Sequence, residues 1–177
     1  MRRCLTLLSQ KENSTFASAI QRKYVEPAGI EEFCQNLKMS GKSIATLNGS
    51  FDLLHPGHLE MLYQASLQAD VLLVLLNTDT SIKAYKAPDR PLNPLEVRLQ
   101  NMAALEMVHF VTWFDETDPC QILEKVRPNV HVNGGEYGEN CIESPIVKKH
   151  GGTIHVVNLI DGYSTTNLIN KIRKTCD

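Results

Sequence analysis

Apolar residues along this chain form short continuous runs, separated by longer stretches in which they recur every three to four positions. Val71-Leu72-Leu73-Val74-Leu75-Leu76 is the clearest run. It follows Asp70 and stops at Asn77-Thr78-Asp79, so it predicts a strand buried on both faces. Ser43 to Leu47, Phe110 to Phe114, Val130 to Val132 and Thr153 to Val157 predict four more strands. Between them, Leu59, Leu62, Ala65 and Leu67 in 57–69 fit a helix, and Leu95, Leu99, Met102 and Leu105 in 94–106 fit another that starts at Pro94. Residues 118–127, with Pro119 in the first turn, and 143–150, closed by Gly151-Gly152, read as two further helices, and Ser164 opens the last. Ahead of the first strand, Pro27 precedes Ile30, Phe33, Cys34 and Leu37. That is a short amphipathic helix stopped at Gly41, suited to cover the sheet or to meet a second subunit. Residues 1–24 show no clear period and read as an N-terminal extension to a domain spanning 25–177. Residues 77–94, with Pro88, Pro91 and Pro94, read as a long loop.

Strands alternating with helices specify an α/β fold: an open parallel sheet with helices on both faces. Such sheets bind ligands beyond the carboxyl ends of their strands. The unusual residues cluster there, at 48–58, 77–90, 133–137 and 161–166. Composition removes several other classes. The formal net charge is −2 with no Lys/Arg-rich run, so bulk nucleic-acid binding has no electrostatic basis. No apolar stretch nears the roughly 20 residues that span a bilayer. Met1 to Leu8 begins like a signal peptide but turns polar at Ser9-Gln10-Lys11-Glu12-Asn13, so a cytoplasmic location is expected. The five cysteines form no C-x-x-C pair and read as scattered reduced thiols.

The candidate chemistry starts at Asn48-Gly49-Ser50-Phe51-Asp52-Leu53-Leu54-His55-Pro56-Gly57-His58. A lone histidine at a helix start is usually a polar cap. Here His55 and His58 lie three residues apart on one face of a first turn, where backbone N–H groups lack partners and the dipole is positive. Pro56 suits the first turn, and Gly57, with no Cβ, allows a phosphate close to the backbone. The two imidazoles can hold an α-phosphate and stabilise charge building on it. No H-E-x-x-H or cysteine set completes a zinc site, so no protein metal ligands are expected. Ser164-Thr165-Thr166 opens a second helix at the same sheet edge. Its serine reads by default as an N-cap, and its hydroxyls also suit β- and γ-phosphates. Lys83, Lys86 and Arg90 in the long loop, with Arg98 beyond it, can close over phosphorylated substrates and neutralise a leaving pyrophosphate. Gly49, Ser50 and Phe51 offer backbone contacts. Asp52 either orients a partner in the site or simply holds the turn.

These motifs resemble the cytidylyltransferase-like nucleotidyltransferases, and within them the D-glycero-β-D-manno-heptose 1-phosphate adenylyltransferases. The family's T-N-G-x-F-D-x-L-H-x-G-H reads Leu47 to His58 here. Its N-x-D-x-S-x-K-x-x-K followed by R-P-x-N-P-x-x-x-R is met by Asn77, Asp79, Ser81, Lys83, Lys86, Arg90-Pro91, Asn93-Pro94 and Arg98. Its G-G-D-Y reads Gly134-Gly135-Glu136-Tyr137, and D-G-x-S-T-T reads Asp161 to Thr166. The resemblance implies a Rossmann-like H-x-G-H nucleotidyltransferase fold. It implies ATP and Mg²⁺, with adenylyl transfer to heptose 1-phosphate to give ADP-heptose for lipopolysaccharide synthesis. Asn48, Gly49, Ser50, Phe51, Gly57, Arg98, Gly134, Glu136, Tyr137 and Ser164 to Thr166 are then nucleotide-binding, with Gly134 to Tyr137 near the base, and His55, His58, Lys83 and Lys86 catalytic. It further implies a homodimer and a separate sugar kinase, because the kinase domain often fused upstream is absent. The chain departs from the family where Asn133 replaces a lysine, Glu136 an aspartate and Ala87 a glycine; Leu159 stands where glycerol-3-phosphate cytidylyltransferases carry arginine, which speaks against that substrate class. The rival reading is a cytidylyltransferase acting on glycerol 3-phosphate or a related alcohol phosphate.

Overall fold

The computed structural model describes residues 15–135, 138, 140–158 and 162–176. Five strands form one parallel sheet: β1 (Ile44–Gly49), β2 (Val71–Asn77), β3 (Phe110–Phe114), β4 (Val130–Gly134) and β5 (Thr153–Val157), in the order β3-β2-β1-β4-β5. The helices are α1 (Phe16–Gln21), α2 (Ile30–Met39), α3 (Pro56–Ser66), α4 (Asp79–Tyr85), α5 (Leu95–Ala104), α6 (Cys120–Val126), α7 (Ser144–Lys149) and α8 (Thr165–Cys176). The chain reverses its direction of travel across the sheet between β1 and β4, and that switch point is where a crevice opens.

The run Val71–Asn77 is buried throughout, and its side chains alternate between two cores. Leu72, Val74 and Leu76 pack with Leu62 and Ala65 of α3 and with Leu99 and Met102 of α5. Leu73 and Leu75 pack with Ile30 and Cys34 of α2, with Ile122, Leu123 and Val126 of α6, and with Val147 of α7. Each such side chain withdrawn from water contributes about 1.5–3 kcal/mol, so β2 anchors both layers. α2 therefore covers the sheet, with Phe33 edge-on to Phe110 at 4.8 Å.

Two helices lie where the hydrophobic pattern gives none. Thr15 caps α1 by accepting from the Ser18 N–H, Ile20 enters the core, and Tyr24 bridges Val111 at the outer edge of β3. With one buried residue in six, α1 leaves no period to detect. α4 lies inside the stretch read as loop. Thr78 caps it by accepting from the Ser81 N–H at 3.2 Å, and Asp79 sits in its first turn. The three prolines, which all follow α4, obscured that start signal. Pro94 proves to be the N-cap of α5 rather than its first helical residue.

His131 of β4 is fully buried opposite Thr46 of β1, with its Nδ1 2.8 Å from the threonine hydroxyl. Burial holds its pKa down at about 4, so the imidazole is neutral in the folded protein. The unfolded chain takes up that proton near the ordinary histidine value of about 6.5. Between those values the unfolded state binds more protons, so stability is complete above pH 6.5 and declines as pH falls toward 4. The melting temperature is expected to fall across that window. His131→Asn should remove one histidine's share of the slope, at most about 1.4 kcal/mol per pH unit.

Candidate active site

β1 ends at Gly49, and the chain turns sharply through Phe51, whose φ of 45° is left-handed. The turn tucks the Phe51 ring under Gly49, where an added Cβ would come within 3.1 Å of it. Asp52 is 1% exposed and fixes the turn to the far end of the long loop. Its carboxylate accepts from the backbone N–H groups of Leu92 and Asn93 at 2.8–3.0 Å and pairs with Arg90 at 2.7 Å. Of its two readings, the structure gives the structural one.

His55 is the N-cap of α3. Its Nδ1 accepts from the His58 N–H at 3.4 Å, and the two rings stack with centroids 3.7 Å apart. An acceptor Nδ1 leaves the proton of His55 on Nε2. His58 also meets the Phe51 ring edge at 5.4 Å. Burial, then the neighbouring His55 and Lys86, hold the His58 pKa at about 4 against a hydrogen bond to the Leu53 backbone, and burial lowers that of His55. His58 is thus a neutral imidazole at pH 7, and its buried Nδ1 has no hydrogen-bond partner. Gly57 owes its place to the His55 ring, because a Cβ there would lie 3.2 Å from Nδ1 and Cε1. Gly57→Ala is expected to keep or raise the melting temperature, since alanine favours helix by about 1 kcal/mol. It should lower kcat/KM about tenfold by pushing His55 off its stack; calorimetry and steady-state kinetics check the two arms.

The second helix start lies beside this one. The Tyr163 Cβ comes within 3.7 Å of the point where a Gly57 Cβ would stand. Ser164 follows, accepting from the Asn167 N–H at 3.1 Å as the N-cap of α8. The histidine pair and the Ser164-Thr165-Thr166 helix start therefore share one corner of the molecule.

A cleft of about 370 Å³ opens over the ends of β1 and β4, a size suited to small-molecule ligands. Asn48, Gly49, Ser50, Phe51, His58, Lys86 and Gly134 line it, and Lys86 Nζ donates to the Ser50 hydroxyl at 3.0 Å. His55, Gly57 and Ser164 to Thr166 lie outside that lining; His55 flanks it through its contacts with His58. Lys83 is exposed on α4 and does not line the cleft. Arg98 is fully buried. Its guanidinium donates to the Asn93, Ser50 and Asn77 carbonyls at 2.8–3.0 Å and to Asp79 at 2.6 Å. It ties the ends of β1 and β2 to α5 and leaves little capacity for a phosphate. Glu136, Tyr137, Leu159 and Asp161 lie outside the described residues. The cleft also takes Asn77, Tyr85, Asp118, Asn133, Ile142 and Glu143. Asp118 and Glu143 carry no motif of their own; their place just after β3 and just before α7, at the same sheet edge, was the available signal. Among the described residues no group of three or more His, Cys, Asp or Glu is placed to hold a metal, and no helix is long and apolar enough to cross a membrane.

The chain is 40% identical over 148 residues, 83% of its length, to the bifunctional protein HldE of Marinomonas sp. (strain MWYL1). It is 42% identical over 82% of its length to that of Azotobacter vinelandii. It spans about a third of the length of these curated relatives, 31% and 32% respectively. Two solved structures share the fold. One is the lipopolysaccharide core biosynthesis protein from Thermoplasma volcanium GSS1, at TM-score 0.54 and 24% identity over 70% of this chain and all of that one. The other is pantoate-β-alanine ligase from Francisella tularensis, at TM-score 0.57 and 15% identity over 85% of this chain and 77% of that one. Residues 46–171 match the model of the cytidylyltransferase-like family, a span that runs from β1 to α8 and contains both helix starts, and the chain belongs to that family.

Proposed function

We propose that this chain transfers the adenylyl group of ATP to a sugar 1-phosphate, with heptose 1-phosphate as the acceptor. Pyrophosphate leaves, and the ADP-heptose formed serves lipopolysaccharide inner-core synthesis. The observation that carries this reading is the meeting of the α3 and α8 starts, with Tyr163 against Gly57, next to His58, which lines a cleft of small-molecule size. Similarity to HldE proteins over about four-fifths of the chain supports the acceptor class.

The chemistry needs no protein nucleophile. A phosphate monoester has a second pKa of about 6, so the acceptor is a dianion at neutral pH. One of its oxygens forms a bond to the α-phosphorus as the α–β bridging bond breaks, and pyrophosphate departs with that electron pair. Catalysis is alignment and charge stabilisation. The α3 start and the neutral N–H donors of His55 and His58 face the α-phosphoryl oxygens, where charge grows in the transition state. Ser164, Thr165 and Thr166 hold the β- and γ-phosphates, and Lys86 neutralises the incoming or leaving anion. Mg²⁺, where bound, would neutralise phosphate charge, a role magnesium fills with phosphate and water ligands and few from protein. The working unit in this reading is a homodimer, supplied with sugar phosphate by a sugar kinase.

Pyrophosphate release from the purified protein with Mg²⁺, comparing ATP with CTP and heptose 1-phosphate with glycerol 3-phosphate, tests the reading. Turnover is expected for ATP with the heptose phosphate. Preference for CTP and the alcohol phosphate would overturn it in favour of the cytidylyltransferase alternative.

A further inference from the structure

The cleft straddles the sheet, and its two sides differ in charge. On the side covered by α3 stand His58 and, beside Ser50, the ammonium of Lys86. On the side covered by α6 and α7 stand Asp118 and Glu143. Glu143 is 6% exposed, and its Oε2 accepts from Asn133 Nδ2 at 3.4 Å. Asp118 Oδ1 accepts from the Cys120 N–H at 2.9 Å. The Cys120 thiol donates to the Ile142 carbonyl at 3.6 Å, which ties the start of α6 to the segment ahead of α7. Alternation along β1 and β4 puts Asn48 and Asn133 on the face of the paired Thr46 and His131, hence on this same side. The buried Asn48 Oδ1 has no hydrogen-bond partner. Burial first, then Asp118 and Glu143, raise the Cys120 pKa to about 12.

A second phosphate would be repelled at this wall, on which the cleft carries no lysine or arginine among the described residues. Carboxylates and amides with spare acceptor capacity suit hydroxyl groups instead. We propose that Asp118 and Glu143, with Asn48 and Asn133, read the hydroxyl-bearing body of the acceptor, whose phosphate points across the cleft to Lys86 and His58. This rests on the sugar-phosphate reading above and adds the residues that set acceptor choice.

Asp118→Asn and Glu143→Gln test it, since each keeps an oxygen for its present partner while replacing the charge and the second acceptor oxygen with an amide NH2. With ATP and heptose 1-phosphate, each variant is expected to raise the acceptor KM about 10- to 100-fold, the weight of a hydrogen bond to a charged group. The KM for ATP should stay within twofold, and the preference for the sugar phosphate over glycerol 3-phosphate should shrink. Two results would overturn the assignment while leaving the sugar-phosphate reading intact. One is an unchanged acceptor KM in variants that fold, as judged by circular dichroism. The other is a loss that falls on ATP, which would make this wall the ribose site. Wild-type protein that ignores sugar phosphates would overturn both readings together. If one variant fails to fold, the other decides.

Discussion

His58→Ala is expected to lower kcat by about 10²- to 10³-fold, the usual weight of one preorganised donor to a developing oxyanion. The fold should survive, because the ring packs only at the cleft mouth, against His55 and the edge of Phe51. His58→Asn, which restores a neutral N–H donor, should recover part of the loss. The charge state gives a second test. With a pKa of about 4, His58 is already neutral throughout the working range. The profile of kcat/KM, which reports the free enzyme, should therefore not fall between pH 6 and 8 through loss of a proton from this residue. A descending limb near pH 6.5 that vanishes in His58→Asn would show that the imidazolium is the active form. Such a limb would contradict the neutral imidazole derived from its burial.

The sheet and its helices were legible because burial writes a period into the sequence. Val71–Leu76 is apolar at every position and is buried at every position, whereas in α3 Leu62 and Ala65 pack against the sheet and Leu59, at the same helical spacing, stays exposed. The histidine pair and the Ser164 start were legible for a related reason: each sits at a helix N-terminus, and caps have local signatures. What stayed hidden depends on long-range partners. Asp52 meets groups 38 to 41 residues away, and nothing local separates a carboxylate that holds a loop from one that serves a ligand. The same holds for the cations. Lys86 and Arg98 both read as phosphate ligands, but one lines the cleft and the other is sealed beneath it. The loop that carries Lys83 was misread because α4 is short, and its signal, a threonine cap before an aspartate, was outweighed by the prolines that follow.

Arg98→Ala is expected to cost about 3–5 kcal/mol, the range for stripping one member from a buried ion pair. At about 2–4 °C per kcal/mol for a chain of this size, the melting temperature should fall by roughly 6–20 °C. The reason lies in what the guanidinium joins. One nitrogen bonds the carbonyls of both Ser50 and Asn77, the chain just past β1 and the last residue of β2. A second bonds Asp79 at the start of α4, and Nε bonds Asn93 ahead of α5. Without it, three carbonyls lose this donor, and the buried one of Asn77 alone costs about 1–3 kcal/mol. Asp79, at 35% side-chain exposure, can rehydrate, which favours the lower half of the range. Arg98→Lys keeps the charge but not the planar fork, so it should recover only part of the loss. Activity should suffer as well, because Ser50 is held between this guanidinium and Lys86. If Arg98 bound the nucleotide directly, the lysine variant would melt like wild type and lose only affinity for ATP. If it braces the strand ends, melting temperature and turnover fall together, and saturating ATP does not restore the turnover.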